Sequence, residues 1–240
     1  MKRRIFCFWT DNAKMSRDRR ACLDSIIRNS NCRVELVTPE NLGGFILKDH
    51  PLHEAYRFLH AAHKADYLRC YFLHHHGGGY TDIKQTGFDW NPCFDELEND
   101  ENLWGAGYRL LEPGAAVALH GGDEMKARRN WKSLIGGGAF IFKPGTPFTS
   151  EWYRQLLEIM DEHSQALRKH PARRRQYRYE LLAMSTSRRA RLWTMLHPGH
   201  SGYPLRWVQI LGEIFHPLCL KHADRLSQEL PAPDFGAPWR

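Results

Sequence analysis

The stretch that most constrains this chain is residues 64–84, KADYLRCYFLHHHGGGYTDIK. Ala65, Leu68, Phe72 and Leu73 recur at helical spacing, and Asp66 and Arg69 stand three residues apart, so a helix here puts an acid and a base on one face. Gly77, Gly78 and Gly79 then stop it, because successive glycines permit torsions and close approaches that a side chain forbids. Residues 79–83 that follow have the composition of a short strand, which leaves Asp82 at a strand end and, by alternation, Lys84 on the same face. Singly, each feature has an ordinary explanation: an acid–base pair three apart is usually a surface ion pair, and a glycine run is usually a helix stop. Their joint order is the informative part.

Around this unit the pattern alternates between strand and helix. Residues 5–9 form a short apolar run ending at Trp9 before the polar Thr10, Asp11 and Asn12, which predicts a buried first strand. Ligands of open α/β sheets collect at such strand ends. A helix over 17–29 (Ala21, Leu23, Ile26, Ile27) and a strand over 33–37 follow. Further on, the periodicity predicts an amphipathic helix over 50–63, a loop over 85–92, strands over 103–108 and 139–142, and a helix over 146–163 with Pro147 in its first turn. The Gly- and Ala-rich residues 113–122 read as a loop at the site, and residues 204–215 as a late helix after the punctuated loop 197–203, HPGHSGY.

At 240 residues, 42% of them hydrophobic and 25% charged, the chain is expected to form one α/β domain: a core over 1–145 and a mostly helical extension over 146–240. No apolar run approaches the roughly 18 residues of a membrane helix, and the basic start MKRRIFCFWT does not read as a signal peptide. Six cysteines without Cys-x-x-Cys spacing fit reduced thiols, so a cytoplasmic location is expected. The formal charge of +7 calls for an anionic partner: nucleic acid, an acidic lipid surface at the inner membrane face, or a nucleotide diphosphate. Arginines crowd residues 168–191, among them Arg173, Arg174, Arg175, Arg188, Arg189 and Arg191, but no recognised nucleic-acid motif accompanies them. A solvated or lipid-facing surface is therefore the expectation, and no specific nucleic acid.

The order Ala65, Asp66, Arg69, then Gly78, Gly79, Tyr80 and Asp82, resembles the signature of glycosyltransferases of the sugar-binding DXD type, the family 32-like group of capsular polysaccharide synthesis proteins and outer-chain mannosyltransferases. The resemblance implies a GT-A-like α/β fold with a mixed central sheet, a nucleotide-sugar donor, a glycan acceptor and retention of configuration. By the same resemblance Trp9 and Thr10 lie near the base, Asp66 accepts from and Arg69 donates to hydroxyls of the donor sugar, and Gly78, Gly79 and Tyr80 border it. Asp82 supplies a metal ligand, and the late loop folds over the diphosphate with His200 or Ser201, His200 as a further metal ligand.

One position departs. Where the family has its second aspartate, this chain has Lys84. An ammonium there would bring positive charge to the diphosphate directly, so Mn²⁺ or Mg²⁺ is expected to bind weakly or not at all, and Asp82 with Lys84 forms the expected catalytic pair. If Lys84 lies elsewhere, Asp89 or His200 must complete a metal centre. Two alternatives stay open: a non-catalytic relative that binds nucleotide sugars or glycans, and a nucleic-acid-binding protein using the arginines. A metal hydrolase built on His74, His75 and His76 is the weakest reading, since consecutive helical residues point about 100° apart and do not converge on one ion.

Overall fold

The computed structural model describes residues 1–11, 13–110, 129–172 and 202–236. Its elements are β1 (Arg4–Phe8), α1 (Arg17–Asn29), β2 (Arg33–Val37), α2 (Ala61–His75), β3 (Gly78–Thr81), α3 (Asn91–Asn99), β4 (Gly105–Arg109), β5 (Ile135–Phe142), α4 (Pro147–Lys169), α5 (Gly212–Lys221) and β6 (Leu226–Ser227). The six strands make one mixed sheet in the order β2-β1-β3-β5-β4-β6. β1 is parallel to both β2 and β3, β5 is antiparallel to both β3 and β4, and β6 is parallel to β4. The expected α/β class with a mixed central sheet is what the chain adopts.

This topology decides where a site can form. β1 and β3 end at one edge of the sheet, and β5, running the other way, begins there. Residues 9–11, 81–83 and 136–138 are therefore neighbours along a single edge.

Strand alternation sorts the core. Phe6, Phe8, Tyr80, Phe140 and Phe142 face α2, α4 and α5, where Phe72, Phe148, Trp152 and Phe215 complete an aromatic layer. Burying each such ring contributes about 1.5–3 kcal/mol. On the opposite face Ile5 and Ile141 pack on Trp90, Phe94 and Leu97 of α3 and its approach, and Cys7 packs on Leu23 and Ile26 of α1. Among the described residues no helix is long and apolar enough to cross a membrane.

The glycine run has three separate steric reasons. Gly77 (φ +62°) closes α2, its amide donating to the carbonyls of Phe72 and Leu73. Gly78 sits at φ +102°, where an added Cβ would stand 2.8 Å from the Arg4 carbonyl oxygen, and at Gly79 it would stand 2.7 Å from Cζ3 of Trp90.

Several expectations need correction. The helix over 50–63 is not formed: a 3₁₀ turn spans Glu54–Phe58, and His60 caps α2. Its backbone groups are used elsewhere, since the His53 amide donates to the Tyr67 hydroxyl and the Tyr71 hydroxyl donates to the His50 carbonyl. The helix over 204–215 starts only at Gly212 and continues through Pro217. The carbonyl of Trp207 is taken by Nε2 of His63 at 3.1 Å, which holds residues 203–211 in turns. α3 begins at Asn91, within the last two residues of the expected loop over 85–92, and α4 runs six residues beyond 163. The region expected as a helical extension also contributes β6 to the sheet. The loop at 113–122 and the arginines from 173 onward lie outside the described residues, as do His200 and Ser201.

Candidate functional site

α2 lies between the sheet and α4, so residues 66–73 are all buried. The Asp66–Arg69 pair is consequently no surface ion pair: its side chains are 11% and 10% exposed, with a guanidinium nitrogen 3.0 Å from the Asp66 carboxylate. Arg69 also donates to the Gly137 carbonyl at 2.8 Å, lies 3.7 Å from Asp82 and covers the Tyr80 ring at 4.4 Å. The Tyr80 hydroxyl donates to Oδ1 of Asp82 at 2.5 Å, and the Asp82 amide donates to the Gly138 carbonyl at 2.7 Å. Helix, strand end and the start of β5 are thus tied together through one guanidinium and one carboxylate.

These groups form the floor of a cleft of about 540 Å³, within the size range of roughly 300–1,000 Å³ usual for small-molecule sites. One wall is Trp9, Thr10 and Asp11 at the end of β1, with Lys14, Ser16 and Arg19 at the start of α1. The other wall is Trp207, Val208, Leu211 and Gly212. A smaller cavity of about 130 Å³ opens beside Thr10, between Val37, Tyr56 and Lys64.

Burial sets the charge states. It pushes the Asp66 carboxyl up to about 6, a rise that the facing Arg69 limits. Burial also works against the charge on Arg69, but Tyr80, Asp66 and Asp82 more than offset it and hold the guanidinium above its ordinary range. The Tyr80 phenol is raised far above its ordinary value by burial, so it stays protonated and donates to Asp82.

The structure therefore brings together Trp9, Thr10, Asp66, Arg69, Tyr80 and Asp82. The Trp9 indole donates to the Ala13 carbonyl and the Thr10 hydroxyl to that of Ala61, which fixes this wall against the loop before α1 and the first residue of α2. Three expected positions fall elsewhere. Gly78 and Gly79 lie at the buried amino end of β3, beside Arg4 and Trp90, because the strand runs its full length before reaching the cleft. Lys84 is fully buried and does not line the cleft. β3 stops at Thr81, and the Lys84 amide donates back to the Asp82 carbonyl at 2.7 Å, so the alternation that would have put both side chains on one face is broken by a turn. Burial, then Arg19, lower the Lys84 ammonium from its usual range, while Asp82 and Asp234 work the other way.

The cations that do line the cleft beside Arg69 are Lys14 and Arg19, neither of which the sequence singled out. A signal existed: Ser16 caps α1 through the Arg19 amide, and the expected helix start at 17 already placed these residues next to the first strand. The second wall was also missed. Neutral His63 fixes it, its Nδ1 accepting from the Tyr203 hydroxyl at 2.9 Å while Nε2 donates to Trp207; burial depresses its basicity strongly. No spacing in the sequence joins residues 63 and 203.

Among the described residues no group of three or more His, Cys, Asp or Glu side chains converges as a metal ligand set would. Asp82 offers a carboxylate with one oxygen already engaged by Tyr80 and a guanidinium close by, and this donor set does not fit a divalent ion unaided. Asp89 is committed to the Asn91 amide and the Asn31 side chain, and it does not line the cleft.

The sequence matches no family model. It matches no curated protein either. A solved structure described as "PaToxG Glycosyltransferase" is similar with a TM-score of 0.43 and 12% identity, over 94% of this chain and 87% of that one. Nothing about the chemistry of this chain follows from a likeness at that level.

Proposed function

We propose that the protein is a glycosyltransferase that moves a sugar from a nucleotide-sugar donor to a glycan acceptor. The observation that carries this reading is the buried Asp66–Arg69 pair, opening into a cleft beside Asp82 and not onto solvent. Buried ion pairs cost desolvation, and placing one at the floor of a pocket is what recognition of a polyhydroxylated ligand requires. The nucleoside lies against Trp9 and Thr10, near the smaller cavity. The diphosphate lies towards Lys14, Arg19 and the amino terminus of α1, where backbone amides and the helix dipole favour an anion. The sugar hydroxyls donate to Asp66 and Asp82 and accept from Arg69.

In the transfer step a bond forms between the acceptor oxygen and the anomeric carbon while the bond from that carbon to the diphosphate oxygen breaks. The nucleoside diphosphate leaves with the electron pair, and the flanking cations neutralise its developing charge. Attack on the face the leaving group departs from retains configuration and lets the departing phosphate oxygen take the acceptor's proton, so no protein base is required. Mn²⁺ or Mg²⁺ has no step in this scheme. The resemblance at residues 65–82 supports surface or capsular polysaccharide as the product, and the net charge of +7 supports a peripheral position at an acidic membrane surface on its cytoplasmic side.

Thermal shifts across a panel of nucleotide sugars, followed by donor hydrolysis with the best of them, test this reading. Stabilisation by one nucleotide sugar that disappears in Arg69→Lys is the expected result. Binding without hydrolysis or transfer to any acceptor would instead make the protein a non-catalytic relative, and stabilisation by polynucleotides alone would discard the proposal.

A further inference from the structure

The start of β5, IGGG, is more open than a strand needs to be, and the space is used. A Cβ on Gly136 would fall 1.9 Å from Cζ of Tyr108, and one on Gly138 would fall 3.0 Å from Cζ of Phe235 and 3.3 Å from the Tyr108 hydroxyl. Two glycines thus let Tyr108 lie across the strand and let Phe235 lie on top of it, their centroids 5.5 Å apart. Phe235 is 41% exposed, an uncommon position for a ring held in place from both sides. The Asp234 amide donates to the Gln85 carbonyl at 2.9 Å, and the Gly236 amide to the Asp234 carboxylate at 2.8 Å. The ring is displayed on a fixed turn.

Its place along the sheet edge gives it meaning. The order is β1 with Trp9 and Thr10, then β3 with Asp82, then β5 with Gly138, then β4 with Tyr108. Gly138 touches both sides, accepting from the Asp82 amide through its carbonyl and donating to the Tyr108 hydroxyl through its amide. Gly138, on the strand next to Asp82, receives the Asp82 amide and lies beneath Phe235, so the ring flanks the cleft on the side away from the nucleoside wall without itself lining it.

We propose that Phe235, supported by Tyr108 and Gly138, is the platform for the acceptor, stacking on the apolar C–H face of a pyranose and so selecting which sugar is presented to the reaction centre. This deepens the glycosyltransferase reading and rests on it. An aromatic ring offers a flat, negative π-face to polarised C–H groups at little entropic cost, and it discriminates between hexopyranoses because axial hydroxyls interrupt that face.

The test compares wild type, Phe235→Ala and Phe235→Trp in three measurements: thermal shift by the donor found above, the KM for acceptor in transfer, and direct binding of methyl hexopyranosides and short oligosaccharides by saturation-transfer NMR. Phe235→Ala should raise acceptor KM about three- to tenfold, weaken the NMR signal of the pyranose ring protons, and leave the donor shift unchanged. Phe235→Trp should restore binding and reorder preference among the hexopyranosides. Unchanged acceptor KM and NMR signal in Phe235→Ala, with donor binding intact, overturns the platform and leaves the glycosyltransferase reading standing. Glycosides that bind through Phe235 in a protein deaf to every nucleotide sugar would keep the platform and sink that reading; failure to bind either class removes both.

Discussion

Two buried cations flank the turn at Asp82, and they behave oppositely. Arg69, on the cleft side, meets Asp66, Asp82, the Gly137 carbonyl and the Tyr80 ring, and its charge is reinforced. Lys84, two residues past Asp82, is equally removed from solvent but lies behind the turn, where burial and Arg19 press its charge down. Proximity in sequence to a key carboxylate says little about role; what matters is whether the backbone between them keeps the period of a strand. Here it does not: the lysine that reads as a cleft residue is buried outside the cleft, while an arginine fifteen residues earlier holds the site.

The strongest way to break this contrast is Arg69→Ala. It strips a donor from Gly137 and leaves buried Asp66 and half-buried Asp82 without their counter-ion, so urea unfolding should show a loss of about 3–5 kcal/mol and transfer should vanish. A variant that melts normally would show that the network is ornamental. Arg69→Lys sharpens the point, since it keeps the charge but cannot serve the carbonyl and the carboxylate together; its fold should largely survive and its donor binding should not.

Acidity separates stability from binding at the same floor. The folded protein holds the Asp66 proton more tightly than an unfolded chain does, its pKa standing near 6 against an ordinary 3.8. This carboxyl therefore lowers stability progressively as pH rises from about 4 to 6, and the cost is constant above that. Donor binding needs the carboxylate and should change the other way, falling about tenfold per pH unit below 6. Thermal shifts with and without donor from pH 5 to 7.5 check both signs, and Asp66→Asn should flatten each profile. A donor response that strengthens in acid would remove Asp66 from the donor contacts.

Lys84→Met should matter less than either. An apolar side chain of similar length suits a buried position, and kcat/KM should stay within about tenfold of wild type. A loss as deep as that of Arg69→Lys, with the melting temperature unchanged, would return Lys84 to the reaction centre. Smallest of all is chelation: with Arg19, Lys14 and Arg69 lining the cleft, EDTA should alter transfer by less than about twofold. Collapse under EDTA, rescued by Mn²⁺, would mean that Asp82 gains further ligands from residues such as His200.

Local rules made much of this legible. The helix with its acid–base pair, the glycine stop and the α/β class follow from spacing and composition, and it is the resemblance at residues 65–82 that joined Asp66, Arg69, Tyr80 and Asp82 in one cleft. What escaped was decided by long-range bonds. Residues 50–63 look helical by pattern, but the Tyr67 hydroxyl claims the His53 amide and the Tyr71 hydroxyl the His50 carbonyl; residues 204–215 look helical too, but His63 claims the Trp207 carbonyl. Gly78 and Gly79 read as ligand contacts because glycine suits both a close-approaching ligand and a close-approaching core, and here Trp90 and the Arg4 backbone are what approach. Lys84 was misplaced by assuming that a strand outlasts Thr81.

The late residues have a consequence for how this protein comes into being. β6 pairs with β4, the Arg225 carbonyl receives the Trp104 amide, and the wall at 207–212 closes over a floor laid down by residues 66–82. During synthesis, which releases the amino-terminal part first, the floor emerges more than a hundred residues before its covering. The nascent chain passes through a long interval in which Asp66, Arg69 and the aromatic layer under them have no roof, an interval that exposes apolar surface and offers work to chaperones. Competence to bind is thus acquired late, once residues 207–212 have emerged and docked on that floor.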